Sequence, residues 1–352
     1  MVGVCRCAIQ QFPHKNAERT PSYKEETMTK GRLIASLMGA AGMGLCGPAL
    51  AGNYPVKPLK LIIPFPPGGT TDIVGRGVAD QLSKVLGQAV VVENKGGGGG
   101  SIGADAIAKA APDGYTIGIA TVSTHAVNPA CNPKLSYDPL KDFKPITNLA
   151  TVANVIAVNP TFPAKNYKEF VAVLTANPGK YSFATSGTCG IGHMLGEEFK
   201  VLTKTQMVHV PYRGAGPALN DVLANQVPIM VDNLPSSIQF IKGGKLQPIV
   251  VAWNKRIDSL PDVPTFAEVG LKDANDPAWY GLVAPAGTSD DIIRKLNEAA
   301  VKALKDPSLV DRFRGAGAEP VGNTPQQYAA EIKREFDKMR TLVKQQNIKL
   351  DQ

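Results

Sequence analysis

The most reactive side chains lie in residues 182 to 198, SFATSGTCGIGHMLGEE. Cys189 precedes a helical stretch and His193 follows four residues later, a spacing that would let an imidazole take a proton from a thiol. No third residue that would orient the histidine is identifiable, so half of a disulfide and a surface histidine are the preferred readings. A second stretch, LKLIIPFPPGGTTD at 59 to 72, offers main-chain chemistry. The apolar run Leu61 to Ile63 is of buried-strand type, and Pro66-Pro67-Gly68-Gly69 continues neither strand nor helix. Apolar residues then recur at helical spacing from Ile73 to Leu86, with Thr70, Thr71 or Asp72 able to cap the first turn. The first N–H groups of a helix lack intrahelical partners, and glycine lets a ligand approach them, so this loop suits an anion; it suits an ordinary tight turn equally well.

Other motifs narrow the chemistry. Gly98-x-Gly100-x-x-Gly103 matches the dinucleotide fingerprint, but the end of the next strand reads Ala120-Thr121-Val122-Ser123 and supplies no carboxylate for a ribose. The chain has no G-K-[ST] phosphate loop, G-x-S-x-G elbow, H-E-x-x-H or C-x-x-C. The formal charge of +8 is mild for 352 residues and forms no basic run, which argues against nucleic acid.

The elements that must position these groups alternate between β and α. Strands are predicted at 61–63, 90–92, 115–121, 145–149, 152–158, 181–184, 207–210, 228–232, 246–252 and 279–284. Helices are predicted at 102–110, 166–176, 190–203, 215–225, 235–242, 289–305 and 324–346. This order predicts an α/β fold with right-handed crossovers and a largely parallel sheet. Extended or polar crossings at 147–158 and 272–280 divide it into two lobes, 52–151 plus 276–352 and 152–275, with a ligand cleft between them. Each lobe then contributes one small-residue loop before a helix, and a ligand carboxylate could be clamped from both sides. Thr124, His125, Asp232 and Asn233 stand at strand ends, where ligands of α/β clefts bind.

The N-terminus reads as a targeting segment. Residues 28 to 51 carry Lys30 and Arg32, an apolar stretch and Ala49-Leu50-Ala51, the pattern of a secretory signal peptide cut after Ala51, with translation starting at Met28 and residues 1–27 an upstream over-call. Lipid modification at Cys46 is the rival reading, disfavoured by Leu45 before it. Of five cysteines only Cys131 and Cys189 then remain, in an oxidising compartment where they either pair or stay free.

Seven segments together resemble one known family. FPPGGTTD (65–72), ENKGGGGGSIGADAIAKAAPDGYT (93–116), SYDPLKDFKPIT (136–147), TSG (185–187), VPYRGAGPALNDVLANQV (210–227), VDNLPS (231–236) and LPDVPTFAEVG (260–270) are similar to the Bug family, the extracytoplasmic solute receptors of tripartite tricarboxylate transporters. The resemblance implies a monomeric, two-lobed periplasmic binding protein that captures a small carboxylate and delivers it to membrane permease subunits. The cargo would be a dicarboxylate, tricarboxylate, acidic amino acid or aromatic carboxylate. No catalytic residue, cofactor or metal is implied. Two facing loops would hold the carboxylate through main-chain groups: Phe65, Pro67, Gly68, Gly69, Thr70, Thr71 and Asp72 on one side, and Ser186, Gly187 and Thr188 on the other. Thr124, His125, Tyr212 and Asp232 would set specificity. Cys131 and Cys189 depart from the family pattern, as does Val231, which stands where Phe commonly precedes Asp-Asn.

Overall fold

The computed structural model describes residues 54–346. The signal-peptide, Met28 and Cys46 readings therefore fall outside the described residues. Strand β1 (Leu59–Ile63) leads through the Pro-Gly loop into α1 (Thr70–Leu86), and β2 (Val90–Asn94), α2 (Ser101–Ala108) and β3 (Thr116–Thr121) follow. A π-helical turn at Ser123–Val127 then runs into α3 (Asn128–Cys131), and β4 (Phe143–Val152) completes this first pass. After Ala153 come β5 (Asn154–Val158), α4 (Tyr167–Ala176), β6 (Ser182–Thr185), α5 (Ile191–Thr203), β7 (Val208–Pro211), α6 (Ala215–Leu223), β8 (Ile229–Asn233), α7 (Leu234–Lys242) and β9 (Gln247–Ala252). The chain finishes with β10 (Ala278–Pro285), α8 (Asp290–Ala303), α9 (Pro307–Gly315), β11 (Ala318–Pro320) and α10 (Pro325–Gln346).

Two sheets result. One has six strands in the order β11-β4-β10-β3-β1-β2, the other five in the order β7-β6-β8-β5-β9. The parallel pairs are β1 with β2 and β3, and β6 with β7 and β8. Every pair made by β4, β5 or β10 is antiparallel. The expected largely parallel sheet is thus corrected to two mixed sheets. The physical reason lies in the connections: β4 runs straight into β5, and β10 brings the chain back, so these strands oppose those built by βαβ crossovers.

Local sequence explains the elements flanking the cleft. On α1, Val74, Val78 and Leu82 recur every fourth residue, are fully buried and pack under β1, and Gly87 ends the helix at φ 66°. All five residues of β5 are buried, because helices cover both faces of its sheet. Helix α9 and strand β11 were not anticipated, although Asp306 accepts from the N–H groups of Ser308 and Leu309 and Pro307 follows it, a legible start signal. No described helix is long and apolar enough to cross a membrane.

Candidate functional site

Helices α1 and α5 begin alike. Their N-caps, Gly69 (φ −86°, ψ 170°) and Gly190 (φ −95°, ψ 169°), are extended glycines, and neither helix has a side-chain cap. Their first-turn N–H groups are left to other partners, and both starts carry the positive end of a helix dipole. Between the two sheets, Phe65, Gly69, Thr70 and Thr71 face Ser186, Ala215, Asp232 and Asn233 around an enclosed space of about 20 Å³. Thr121, Ser123 and Tyr280 complete its wall. Hydroxyls dominate this lining and no lysine or arginine contributes to it.

The first loop is braced from within. Gly68 N–H donates to Asp72 Oδ2 at 3.1 Å, and Asp72 Oδ1 accepts from Arg76 Nε and Asn94 Nδ2, each at 2.9 Å. Asn94 Nδ2 also donates to the Phe65 carbonyl at 2.9 Å. Asp72, expected beside the ligand, is therefore turned back into its own loop, and Pro67 and Gly68 are exposed on the outer side.

The second loop hangs on a threonine and two histidines. Thr185 Oγ1 donates to the Gly187 carbonyl at 3.2 Å, accepts from Gly187 N–H at 3.3 Å and lies 2.7 Å from His209 Nε2. His209 stacks on His193 with ring centroids 3.9 Å apart. Burial first, then the neighbouring His193 and Lys200, pushes His209 down to about 3, so it serves this loop as a neutral ring. His193 is buried rather than at the surface, and its Nδ1 accepts the Cys189 backbone N–H at 3.1 Å. That contact is to main chain, while the Cys189 thiol is pushed up by the neighbouring Cys131 and by burial. The thiol and imidazole are not arranged as nucleophile and base. Cys131 and Cys189 are both free thiols here, lying side by side.

The remaining expected residues divide. Asp232 faces the enclosed space and its Oδ2 accepts from the hydroxyls of Ser236 and Ser237 at 2.6 and 2.7 Å; burial nonetheless raises its carboxyl above the usual range. Gly187, Thr188 and Tyr212 line an adjoining open recess of about 490 Å³ with Lys134 and Arg213 at its edge. Thr124 and His125 belong to neither space. Both are fully buried: Thr124 bonds to Thr121 and to His125 Nδ1, and the His125 ring packs 4.4 Å from Phe143. Burial alone pushes His125 down to about 3.

Four lining residues escaped the sequence reading, one of them Ala215 at the start of α6. Thr121 and Ser123 sit at the end of β3, one to three residues before the pair expected there, because the π-helical turn begins immediately and carries Thr124 and His125 inward. Tyr280 arrives on β10, the returning strand, and donates to Asn233 Oδ1 at 2.6 Å across the cleft. No local pattern marks a residue brought back over such a distance. Among the described residues no group of three His, Cys, Asp or Glu converges to hold a metal.

Comparison with known proteins agrees with this geometry. The profile of the tripartite tricarboxylate transporter family receptor matches residues 74–348. The protein BugT of Bordetella pertussis is 35% identical over 325 residues, spanning 92% of this chain and 100% of its own. A solved structure described as a periplasmic transporter shares 56% identity at a TM-score of 0.84, covering 85% of this chain and all of that one. MatC from Rhodopseudomonas palustris, solved with bound malate, shares 33% identity at a TM-score of 0.79 over 82% of this chain and 100% of its own. The two-lobed architecture, the paired loops and these matches place the chain in the Bug family of periplasmic solute-binding receptors, the tripartite tricarboxylate transporter receptors.

Proposed function

We propose that this receptor clamps a small dicarboxylate between Phe65 to Thr71 and Ser186 to Thr188 and delivers it to the permease subunits of a tripartite tricarboxylate-type transporter. The observation that carries the reading is a hydroxyl-rich space without a lysine or arginine, lined by Gly69 at the start of α1 and by Ser186 of the loop that leads into α5. Main-chain N–H groups and helix dipoles stabilise a carboxylate there without a fixed positive side chain. The malate bound by MatC supports the chemical class. The lobes are assigned as 52–151 with 276–352 and as 152–275. Because the enclosed space is near the volume of one water, cargo enters by the lobes parting and is sealed by hinged closure. In this reading the open recess beside Tyr212 and Arg213 takes the distal end of a longer acid.

Thermal-shift and calorimetric titration of protein stripped of cargo tests this, using malate, adipate, citrate, glutamate and benzoate as probes. A ligand that binds only the native state raises stability by about 2.7 kcal/mol at a hundredfold excess over its dissociation constant. A saturable shift with a dicarboxylate supports the reading. Binding only of citrate, of glutamate or of benzoate moves the cargo to a tricarboxylate, an acidic amino acid or an aromatic carboxylate, and binding of none of the five sinks the two-loop clamp.

A further inference from the structure

The only two cysteines among the described residues pack against one core, one from α3 of the first half and one from the loop before α5 of the second. Cys131 ends α3 beside the first sheet, is half-buried and reaches solvent. Cys189 lies in the loop before α5 of the second half, yet it is fully buried and packs, with Ile191 and Met194, into the core of the first sheet. Two further observations fix the loop in that position. Ile191 N–H donates to Ser123 Oγ at 3.0 Å, and the Thr188 carbonyl lies so near Gly99 that a Cβ there would come within 2.7 Å of it.

The backbone at Cys189 supplies a second, independent observation. Its φ is +52°, and the other non-glycine residues with positive φ, Lys204 and Asn225, follow the ends of α5 and α6, where left-handed residues are usual. Cys189 has no such reason. Glycine at this position would relieve the strain, so what the strained residue adds is its thiol.

We propose that Cys131 and Cys189 form a redox latch, a disulfide across the cleft that can close only when the lobes are together and that holds them together once formed. The chemistry is two-electron thiol–disulfide exchange with a periplasmic thiol:disulfide oxidoreductase, whose own disulfide is the oxidant. The Cys131 sulfur is the accessible one, and the hydrogen bond from Cys189 holds it below the usual thiol range, so as thiolate it attacks the oxidant first. One oxidant sulfur leaves as thiolate, and a mixed disulfide remains on Cys131. The Cys189 thiol then loses its proton to that departing thiolate and attacks the Cys131 sulfur. The intramolecular bond forms, the mixed disulfide breaks, and the oxidant ends as a dithiol. An S–S bond of about 2 Å leaves no room for the lobes to part at this point. Reduction reverses the steps and frees the hinge. The latch rests on the two-lobed fold and not on which carboxylate is carried.

The test uses protein exported to the periplasm and purified without reductant, then equilibrated with oxidised glutathione. Peptide mapping should recover Cys131 linked to Cys189. With cargo removed in denaturant and the chain refolded, small-angle scattering should show a larger radius of gyration after dithiothreitol than before it. The Cys131→Ser variant should scatter identically with and without reductant; if it fails to fold, Cys189→Gly, which relieves the strained backbone, takes its place. Two free thiols after oxidation would overturn the pairing. A linked protein whose radius of gyration ignores reductant would overturn the latch.

Discussion

The two cleft loops solve one problem with different materials. Both end in an extended glycine that starts an uncapped helix. The α1 loop is rigid by itself: a carboxylate, a guanidinium and an amide form a closed network, Asp72, Arg76 and Asn94, that grips the Phe65 carbonyl and Gly68 N–H. The α5 loop is held without a carboxylate network, by Thr185 and the stacked His193 and His209, and by the opposite lobe through Ser123. The difference teaches how such a clamp divides its work. One jaw is braced by charged groups of its own lobe and reaches across the cleft only through the Thr70 hydroxyl, which bonds to Ser236. The other takes an acceptor for a main-chain group of its helix start, Ile191 N–H, from across the cleft.

Breaking the braced jaw should have the largest effect. Asp72→Ala removes three acceptor contacts from a nearly buried carboxylate and unties Gly68, Arg76 and Asn94 from one another; hydrogen bonds to charged groups contribute about 1.5 to 3 kcal/mol, so a stability loss of about 3 kcal/mol is expected in urea unfolding. Thr185→Val keeps shape but removes the hydroxyl that serves Gly187 and His209. Here about 1 to 2 kcal/mol should be lost, with a greater proportional loss of ligand affinity than Asp72→Ala shows, since Thr185 holds the main chain of Gly187 at the cleft whereas Asp72 is turned back into its own loop. Equal losses of affinity in the two variants would remove the distinction between the jaws.

The first jaw was legible in the sequence and the second only partly so. Pro66 to Gly69 between an apolar run and a helical period admits little except strand, loop and helix, and the structure has that order. The second loop was found by its small residues, but its supports were not: His209 lies on the neighbouring strand, and nothing in local spacing shows that its ring would stack on His193. Thr124 and His125 show the complementary failure. Polar residues at a strand end normally face the cleft, and here a single π-helical turn, which widens the helix by one residue, rotates them into an aromatic core. The antiparallel strands were hidden for a third reason: strand direction is set by which lobe the chain goes to next, information that spans more than a hundred residues between β4 and β10.

A glycine pair sharpens the comparison at smaller cost. Gly68 has φ +87° and Gly187 φ +147°, so alanine is strained at both by about 1 kcal/mol. Their surroundings differ. A Cβ on Gly68 meets nothing within 4 Å, whereas one on Gly187 lies 3.3 Å from Gly99 Cα, a backbone atom of the glycine loop before α2 in the opposite lobe. Gly68→Ala should therefore lower the melting temperature with little change in affinity. Gly187→Ala should produce a similar thermal loss together with several-fold weaker carboxylate binding, because its new methyl presses on the facing loop only when the cleft shuts. Calorimetry on both variants separates the two costs.

The carboxylates of the two helices complete the contrast. Asp72 on α1 is ringed by donors, but Glu198 on α5 is pushed up to about 7 by burial and then by Asp276 and Asp273, against the weaker opposing pull of Lys338. Raised above its unfolded value, Glu198 binds a proton more tightly in the folded protein, so its contribution to stability is full below about pH 4.5 and is lost as pH climbs through 7. Solvent around this surface ion cluster reduces the effect to under about 1 kcal/mol. Glu335, also raised by burial, adds to the same fall. His125 and His209, both depressed to about 3, work in the opposite sense, since they lose stability as pH falls from the unfolded histidine value of about 6.5. The wild-type profile mixes these slopes, so the informative quantity is the difference between wild type and Glu198→Gln in urea unfolding from pH 4 to 8. The variant should gain relative to wild type across pH 4.5 to 7 and hold that gain above it. A difference that is flat with pH would mean that burial does not raise Glu198, and the two helices would then differ in their loops alone.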